Sequence, residues 1–330
     1  MIKNPGNLTV LIAGCGSIGK RHARILNTLG VKNLLIYDNN QEQVELLKND
    51  LPDVRIAESF EKGLEVSDVV FILTPTKLHI PMAIQAVTAG CHVFIEKPLS
   101  NDMNGVLDLE KLAEQKGKKV MIGLCFRYHE GILKAKRIVE AGTIGRLVSI
   151  RAMVGEHFPS VHPSYKSMYY AKYSGAFELV HDIDLAIWIS GQEVKNVFSV
   201  YGSFSEIGTE APDIAEILIE FEDRCVATVH LDFFQIPRRR SLELIGTQSV
   251  IIVEFASWNE YILSIYNTEK KIWELETGQT ARDDMFIDED REFLESIIRD
   301  SPIACDIREG CKSVRVLELA TRKTETKNLI

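Results

Sequence analysis

The sequence predicts an α/β protein of two domains: a doubly wound parallel sheet in residues 1–124, and an α+β domain with a large, mostly antiparallel open sheet in residues 125–330. Three observations support this prediction. A glycine-rich turn follows an apolar strand near the N-terminus, and strand and helix signals alternate up to about residue 125. Longer strands with partial alternation begin after Arg146. The 330 residues give room for two domains of ordinary size.

The first element is an apolar strand that leads into the glycine-rich turn. Residues 8–19 read L-T-V-L-I-A-G-C-G-S-I-G, and a helix-like stretch follows over residues 20–29. In such a turn the first glycine allows the tight bend, the second lets the backbone approach a pyrophosphate, and the third lets the helix pack closely. The phosphates rest on the N–H groups at the start of that helix. The pattern predicts a Rossmann domain whose cofactor-binding residues here are Gly14, Gly16, Ser17, Ile18 and Gly19.

Asp38 closes the second strand, L-L-I-Y-D, at the distance from the glycines that a dinucleotide site requires. Its carboxylate is expected to accept hydrogen bonds from the adenosine ribose hydroxyls, where a 2′-phosphate would meet like charge. Neutral Asn39 and Asn40 follow, with no arginine to receive a phosphate. The sequence therefore favours NAD over NADP as cofactor. The alternative is a purely structural turn in another kind of α/β protein.

The rest of the first domain continues the alternation of strands and helices. The apolar runs are continuous, as in strands covered on both faces. Strands are predicted at residues 54–57, 69–73, 92–96 and 119–124, and helices at residues 81–89 and 104–115. Ligands of such sheets bind at the carboxyl ends of the strands, where Asp38, Thr74, Glu96 and Cys125 fall.

The second domain has longer strands, separated by turns rather than by crossover helices. Strands are predicted at residues 147–154, 194–201, 215–221, 225–234, 241–245, 250–255 and 261–266, with helices at 181–190, 288–299 and 307–321. Helices on one face would leave the other face broad and partly apolar. Because oligomers commonly bury such a face, we expect a homodimer or homotetramer.

Composition excludes several classes of protein. A net charge of −9 argues against nucleic-acid or anionic-membrane partners, and the run Arg238-Arg239-Arg240 is interpreted as a solvated strand end. The first ten residues lack the apolar core of a signal peptide, and no apolar run approaches the ~18 residues that a membrane span needs, so neither segment is expected. Its six cysteines lack C-x-x-C spacing, so we expect them to be reduced and buried, as in a cytoplasmic protein. No metal-ligand cluster is apparent, and no metal is predicted.

Two strand ends on the cofactor side carry candidate catalytic and binding residues. Lys97, between Glu96 and Pro98, could hydrogen-bond a substrate hydroxyl and the nicotinamide ribose; the alternative is a solvated loop lysine. The preceding strand ends in T-P-T-K-L-H, residues 74–79, whose proline and small hydroxyl residues would let the nucleotide lie close to the backbone. The resulting candidates for the cofactor site are Thr74, Pro75, His79, Glu96 and Lys97, with a helix-start role as the alternative for His79.

The segment H-D-I-D opens a helix in the second domain. His181 and Asp184 are three residues apart, so both lie on one face of that helix. A histidine suits the removal of a proton from a hydroxyl while hydride leaves the same carbon. The alternative is a helix cap or a hydrogen bond in the core. The acidic partner and the preceding small-residue turn at residues 174–176 favour the functional role.

Taken together, these motifs resemble the glucose–fructose oxidoreductase/inositol dehydrogenase (Gfo/Idh/MocA) family. The matching segments are G-C-G-S-I-G-K-R-H, T-P-T-K-L-H, E-K-P-L, R-Y-H-E with downstream G-T-I-G-R, and H-D-I-D-L-A-I-W. The resemblance implies NAD(P)-dependent oxidation or reduction at a sugar or cyclitol hydroxyl. It implies that Lys97 and His181 are catalytic. It also implies that Asp184 is the acidic residue that the family has three positions after the catalytic histidine. It also places Arg127 and Tyr128 beside the nicotinamide, with Arg127 on the cofactor and Tyr128 on the substrate.

The sequence departs from the family pattern at one position. Many members have an aspartate four residues before the histidine, where this chain has Phe177. Glu178 resembles the acid of a branch that also has a stretch like G-E-H-F-P-S-V-H-P-S-Y, residues 155–165, and that branch is associated with modified sugars. The departure leaves open whether Glu178, His162 or Tyr165 supports His181, and the latter two are candidate substrate-binding residues.

The sequence thus predicts an NAD-dependent oxidoreductase acting on a hydroxyl or keto carbon of a sugar, nucleotide sugar or cyclitol. Two alternatives remain open. One is an imine or enone reductase on the same two-domain plan, which would also need a proton donor. The other is a dinucleotide-binding protein without turnover, an alternative that Phe177 keeps open because fold alone does not settle function.

Overall fold

Short apolar segments of the first half of the chain form a six-stranded parallel sheet in the computed structural model, which describes residues 4–161 and 175–322. The strand order is β3-β2-β1-β4-β5-β6. The strands are β1 (Thr9–Ala13), β2 (Asn33–Tyr37), β3 (Arg55–Ile56), β4 (Val69–Ile72), β5 (His92–Glu96) and β6 (Val120–Gly123). The order reverses between β1 and β4, the switch point beside which such sheets bind ligands. The predicted parallel sheet is confirmed, with the 54–57 strand reduced to two residues.

Helices alternate with these strands. They are α1 (Ser17–Thr28), α2 (Gln41–Asp50), α3 (Phe60–Leu64), α4 (His79–Ala89) and α5 (Val106–Lys116). Local sequence sets several of their ends: Asn40 caps α2 by accepting a hydrogen bond from the Glu42 N–H, and Ser59 caps α3 through the Lys62 N–H. Gly90, at φ +93°, ends α4.

An eight-stranded sheet forms the second part of the fold, in the order β14-β13-β12-β11-β7-β10-β9-β8. Every neighbouring pair is antiparallel except β7 with β10. The strands are β7 (Leu147–Gly155), β8 (Val194–Gly202), β9 (Ile214–Phe221), β10 (Val226–Asp232), β11 (Arg239–Gly246), β12 (Val250–Glu254), β13 (Glu260–Asn267) and β14 (Ile272–Gln279). The sequence does not predict β14, an edge strand without a buried residue.

The two faces of this sheet differ. The helices of this part are α6 (Glu130–Glu140), which the sequence does not predict, the short α7 (Phe158–Val161) and α8 (His181–Ser190), and α8 packs on β7 and β10. On the opposite face, one row of cross-strand neighbours contains no buried residue: Phe198, Leu218, Thr228, Arg151, Glu243, Ile252, Ser264 and Leu275. This open face mixes apolar side chains with charged ones.

The last two helices are α9 (Asp284–Arg299) and α10 (Ile307–Thr321). By contacts the chain divides into a first unit, Met1–Tyr128 with Asp283–Val314, and a second unit, His129–Arg282 with Arg315–Ile330. Phe293 and Ile297 of α9 pack with Phe71 and Phe94 in the core of the first unit. The division therefore differs from the boundary at residues 124/125, because α9 returns to the parallel-sheet unit.

Within the described residues, no helix combines the length and the apolar character needed to cross a membrane. The six cysteines are all free and buried, as predicted: Cys15, Cys91, Cys125, Cys225, Cys305 and Cys311. Burial raises the pKa of the Cys15 thiol to about 12, with the Asp38 charge acting in the same direction. The part of the chain that the structure describes has no group of three or more His, Cys, Asp or Glu side chains placed to bind a metal ion.

Candidate functional site

The glycine-rich turn between β1 and α1 requires two of its glycines and leaves the third open. Gly14 has a φ of +104°, and a Cβ there would lie 2.5 Å from the Leu73 carbonyl oxygen. A Cβ on Gly19 would lie 1.9 Å from the Gly14 carbonyl oxygen, so α1 packs directly on the turn. Nothing lies within 4 Å of the Cβ position of Gly16. A ligand can therefore approach the backbone at Gly16.

Helix α1 begins beside this opening at Ser17. Gly16 is its N-cap, no side chain of the described residues caps it, and its first turn carries no acidic residue. Its first N–H groups are therefore available to an anion. The turn borders a cavity of about 450 Å³ lined by Gly14, Gly16, Tyr37, Asp38, Asn39, Asn40, Leu73, Thr74, Pro75, Leu78 and Met82. This cradle fits the adenosine diphosphate half of a dinucleotide.

Asp38 lies at the rim of the cavity with its carboxylate fixed by the main chain. Its Oδ2 accepts a hydrogen bond of 2.7 Å from the Cys15 N–H, and its Oδ1 accepts one of 2.8 Å from the Asn40 N–H. Each carboxylate oxygen can accept a further hydrogen bond. The carboxylate is thus oriented for ribose hydroxyl groups and remains a negative charge against a phosphate.

His79 connects the two loops that carry the other cofactor candidates. One ring nitrogen lies 2.8 Å from the Thr74 carbonyl oxygen, and the other lies 2.8 Å from the Pro98 carbonyl oxygen. The side chain is 1% exposed at the start of α4. This position favours the helix-start role, with His79 supporting the loops at Thr74 and Lys97.

Glu96 ends β5 and fixes the backbone at Lys97. Its Oε2 accepts a hydrogen bond from the Lys97 N–H. Burial raises the pKa of the Glu96 carboxyl, while the charges of Lys97 and His22 act in the opposite direction. Lys97 follows at the carboxyl end of the strand and is half-buried.

Helix α9 places two acidic side chains in the core of the first unit. The Asp290 carboxylate oxygens lie 2.9 and 3.0 Å from Nδ1 of buried His22. Burial alone would lower the pKa of His22, but the Asp290 charge outweighs it and raises that pKa. Glu289 is 1% exposed, and its Oε1 has no hydrogen-bond partner among the described residues. Burial, reinforced by the charges of Glu96 and Asp290, raises the pKa of Glu289 well above its usual range.

Arg127 and Tyr128 lie in a short helical turn after β6, Cys125–Tyr128. Arg127 is 4% exposed, and its Nη1 lies 3.4 Å from Oε2 of Glu309. The Tyr128 hydroxyl donates a hydrogen bond of 2.7 Å to Glu292 of α9, and burial raises the pKa of that hydroxyl. Both side chains are therefore packed within the first unit.

His181 begins α8, as predicted, and is half-buried. Asp184, one turn further, is 2% exposed. Asp182 makes an ion pair that the sequence analysis missed: its Oδ2 lies 2.6 Å from Nη2 of Arg240, and both side chains are buried. The interpretation of the arginine run as a solvated strand end is therefore wrong for Arg240.

The region before α8 shows what replaces the family's aspartate. Phe177 is 2% exposed, and its ring packs edge-on against Tyr201 at 5.2 Å. Glu178 follows at the end of a 3-10 turn and is half-buried. The position four residues before His181 is thus a core position in this chain. His162 and Tyr165 lie outside the described residues.

Sequence reasoning missed Asp182, Arg240, His22, Glu289 and Asp290. One signal for the last two was present in the sequence. Glu289 and Asp290 come one helical turn after Met285 and Phe286 and one turn before Phe293, and therefore occupy core positions of α9. Acids at core positions of an amphipathic helix indicate buried partners or unusual protonation.

Comparison with known proteins assigns both parts of the chain. Residues 8–124 match the model of an oxidoreductase family with an NAD-binding Rossmann fold, and residues 132–252 match the GFO/IDH/MocA C-terminal domain. Myo-inositol dehydrogenase Hyg17 of Streptomyces leeuwenhoekii is 26% identical over 226 residues, which are 68% of this chain and 66% of that protein. The chain spans 62% to 67% of the length of the curated relatives it matches.

Two solved structures share the fold. UDP-N-acetylglucosamine 3-dehydrogenase GnnA from Acidithiobacillus ferrooxidans has a TM-score of 0.80 at 22% identity, covering 95% of this chain and 96% of that one. Scyllo-inositol dehydrogenase from Lactobacillus casei, with bound NAD(H) and scyllo-inositol, has a TM-score of 0.80 at 21% identity, covering 95% of each. The glycine cradle and the strand order are those of a Rossmann domain, and both family models belong to one oxidoreductase family. The chain belongs to the Gfo/Idh/MocA family of oxidoreductases, with the family's NAD-binding Rossmann fold in its first 124 residues.

Proposed function

We propose that this protein is an NAD-dependent dehydrogenase that transfers hydride between nicotinamide and a hydroxyl-bearing or keto carbon of a sugar, nucleotide sugar or cyclitol. The observation that carries the proposal is the cradle at Gly14, Gly16 and Gly19, with the Asp38 carboxylate oriented at its rim. The named activity of a relative, a myo-inositol dehydrogenase, supports the substrate class.

In this proposal the first unit binds the dinucleotide. The N–H groups at the start of α1 bind the diphosphate, Asp38 accepts from the adenosine ribose hydroxyls, and Thr74 and Pro75 lie against a ribose. Glu96 fixes the Lys97 backbone, and Arg127 is a further residue that binds the cofactor. Bound NAD supplies the hydride acceptor.

Lys97 and His181 act on the substrate hydroxyl. The Lys97 ammonium donates a hydrogen bond to the hydroxyl oxygen and stabilises the negative charge that develops there. His181 takes the hydroxyl proton as the C–H hydride leaves, so the carbon loses two electrons and a carbonyl forms. Asp184 and Glu178 support His181. His162, Tyr165 and Tyr128 are the further candidates for substrate contacts.

The test is a spectrophotometric measurement of NAD reduction against inositols, free sugars and nucleotide sugars. Turnover that rises with one of these substrates supports the proposal. Reduction of imines or enones with NADH, and no oxidation of any hydroxyl, would favour the reductase. NAD binding without turnover on the whole panel would favour the non-catalytic alternative.

The protein is proposed to act as a homodimer or homotetramer assembled through the open face of the eight-stranded sheet. Phe198, Val200 and Leu218 are exposed by 56%, 63% and 41% on neighbouring strands of that face. Contiguous exposed apolar side chains are typical of surfaces that oligomers bury. The free, buried cysteines support a reducing, cytoplasmic location.

A further inference from the structure

Two arginines share one indole ring in the second unit. The guanidinium carbon of Arg238 lies 4.7 Å from the ring centroid of Trp258, and that of Arg282 lies 4.9 Å from the same centroid. The three side chains come from the segment before β11, the loop after β12 and the segment after β14. Placing two cations on one ring costs repulsion that an anion would relieve.

The charges around this ring do not balance. Arg240 is paired with Asp182, and Nε of Arg238 lies 2.9 Å from Oε1 of Glu156. Arg282 is exposed and has no carboxylate within ion-pair distance in the described residues. The two guanidinium groups on the ring therefore have one carboxylate within ion-pair distance among the described residues, that of Glu156, which leaves the charge of Arg282 in a chain whose net charge is −9.

Hydrogen-bond donors also remain. Arg238 donates a hydrogen bond from Nη1 to the Ala256 carbonyl oxygen at 2.5 Å, whereas its Nε lies within ion-pair distance of Glu156 without a hydrogen bond, so Nε and Nη2 retain donors. The donors of Arg282 have no acceptor among the described residues. Two guanidinium groups with donors to spare fit an oxyanion, because that fork geometry matches carboxylate and phosphate oxygens.

Arg238 is connected to the start of α8 through the neighbouring strand residue Arg240. Arg238 is two residues before Arg240, and Arg240 contacts Asp182, the residue that follows His181. All of these residues belong to the second unit. An extended substrate with its hydroxyl at His181 is the ligand whose charged group we assign to Trp258.

We propose that Arg238 and Arg282 bind an oxyanion of the substrate, so that the substrate is a sugar carrying a phosphate, diphosphate or carboxylate group rather than a neutral cyclitol. This inference rests on the proposed dehydrogenase function. It selects acidic sugars from the wider class of substrates considered above.

The test measures binding by calorimetry to the full-length protein saturated with NAD. The probes are glucose, glucose 1-phosphate, UDP-glucose and glucuronate, so that phosphate and carboxylate are each compared with the neutral sugar. At least one anionic probe should bind about 10-fold more tightly than glucose, and Arg282→Gln should remove that advantage. Because Arg282 is exposed, this variant is expected to fold. Arg282→Lys should retain part of the advantage.

Arg239→Gln is the matched control. It removes one positive charge from the same run, but Arg239 is exposed at the start of β11 while Arg240 is buried. Anion binding should change less than 2-fold in this variant. Equal binding of glucose and all three anionic probes, or an unchanged advantage in Arg282→Gln, would overturn the inference. Turnover of a neutral cyclitol that is unaffected by Arg282→Gln would overturn it while leaving the dehydrogenase in place. If Arg282→Gln loses anion binding but the wild type reduces NAD with none of the substrates, the result would support the anion site and contradict the proposed dehydrogenase function.

Discussion

The Arg240 guanidinium contacts both carboxylate oxygens of Asp182, at 2.6 Å from Nη2 and 3.2 Å from Nε. Arg240 is 5% exposed and Asp182 is 1% exposed, so neither charge is compensated by water. Because Asp182 follows His181, the pair fixes the first turn of α8 to strand β11. Burial raises the pKa of Asp182, and the Arg240 guanidinium opposes that rise.

Breaking this pair is expected to destabilise the second unit. In Arg240→Met the Asp182 carboxylate loses its counter-charge, which should cost about 3–5 kcal/mol in the free energy of unfolding. Without the guanidinium the pKa of Asp182 rises further, so the carboxyl must take up a proton on folding. The stability gap to the wild type should therefore widen as the pH rises above the folded-state pKa of Asp182 in the wild type, which is itself raised by burial. Urea unfolding at pH 4.5 and pH 8 measures this. Strictly additive losses in Arg240→Met, Asp182→Asn and the double variant would show that the pair does not interact.

Asp38 is expected to set the cofactor preference. NAD should bind at least ~10-fold more tightly than NADP, which corresponds to about 1.4 kcal/mol, because the 2′-phosphate would approach a fixed carboxylate. Asp38→Ser removes the negative charge. It should reduce the ratio of NAD affinity to NADP affinity, mainly by strengthening NADP binding. Titration of the protein with each dinucleotide decides it. NADP binding as tight as that of NAD in the wild type would contradict the role given to Asp38.

Lys97 and His181 are expected to act mainly in the transition state. Lys97→Ala or His181→Ala should lower kcat by roughly 10²–10⁴, the range for losing a positioned charge or a general base. His181→Ala should leave NAD affinity nearly unchanged, whereas Lys97→Ala should weaken it modestly through the ribose. Wild-type turnover should rise with pH as His181 loses its proton. This rising limb of the pH–rate profile should be absent in His181→Ala. If His181→Ala keeps its turnover and the pH limb, the proton acceptor must be sought among Tyr165, His162 and Glu178.

The protonation of Glu289 can be tested through stability. Its folded-state pKa is raised, so folding favours the protonated carboxyl, and the stability of the protein with respect to this group is greatest below the unfolded pKa of about 4.3 and declines as the pH rises. Glu289→Gln retains a neutral side chain of similar shape. The variant should match the wild type at pH 4.5 and exceed its free energy of unfolding at pH 8. Asp288→Asn, on the exposed side of α9, is the control that should show no such pH dependence. A Glu289→Gln variant that is less stable than the wild type at pH 8 would mean that Glu289 is ionised.

The open face of the eight-stranded sheet is expected to form the oligomer interface. Wild-type protein should sediment as a dimer or tetramer at micromolar concentration, and Leu218→Lys should shift it toward the 37.2 kDa monomer by placing a charge among apolar side chains. Ile56→Lys changes an apolar residue that is 46% exposed on β3 and should leave the assembly intact. A wild-type monomer at that concentration would contradict the expectation.

Much of the fold follows from patterns that are local in the sequence. The glycine turn needs Gly14 and Gly19 because adjacent backbone leaves no space for a Cβ, and that requirement is visible as G-x-G-x-x-G. Continuous apolar runs predict the buried strands, and the bounds predicted for α8 and α10 are the bounds observed. Strand β14 was missed because its second half, E-T-G-Q, carries no apolar side chain.

The pairing of buried charges was decided only by the tertiary structure. His22 meets Asp290 across 268 positions, and Asp182 meets Arg240 across 58. An arginine on a strand has the same local sequence whether it faces solvent or a carboxylate, so Arg240 could not be told from its exposed neighbour Arg239. The sequence by itself determined the dinucleotide cradle and the two sheets, because steric and apolar requirements act between near neighbours. Which charges are buried together depends on contacts between distant segments, and only the folded chain brings those segments together.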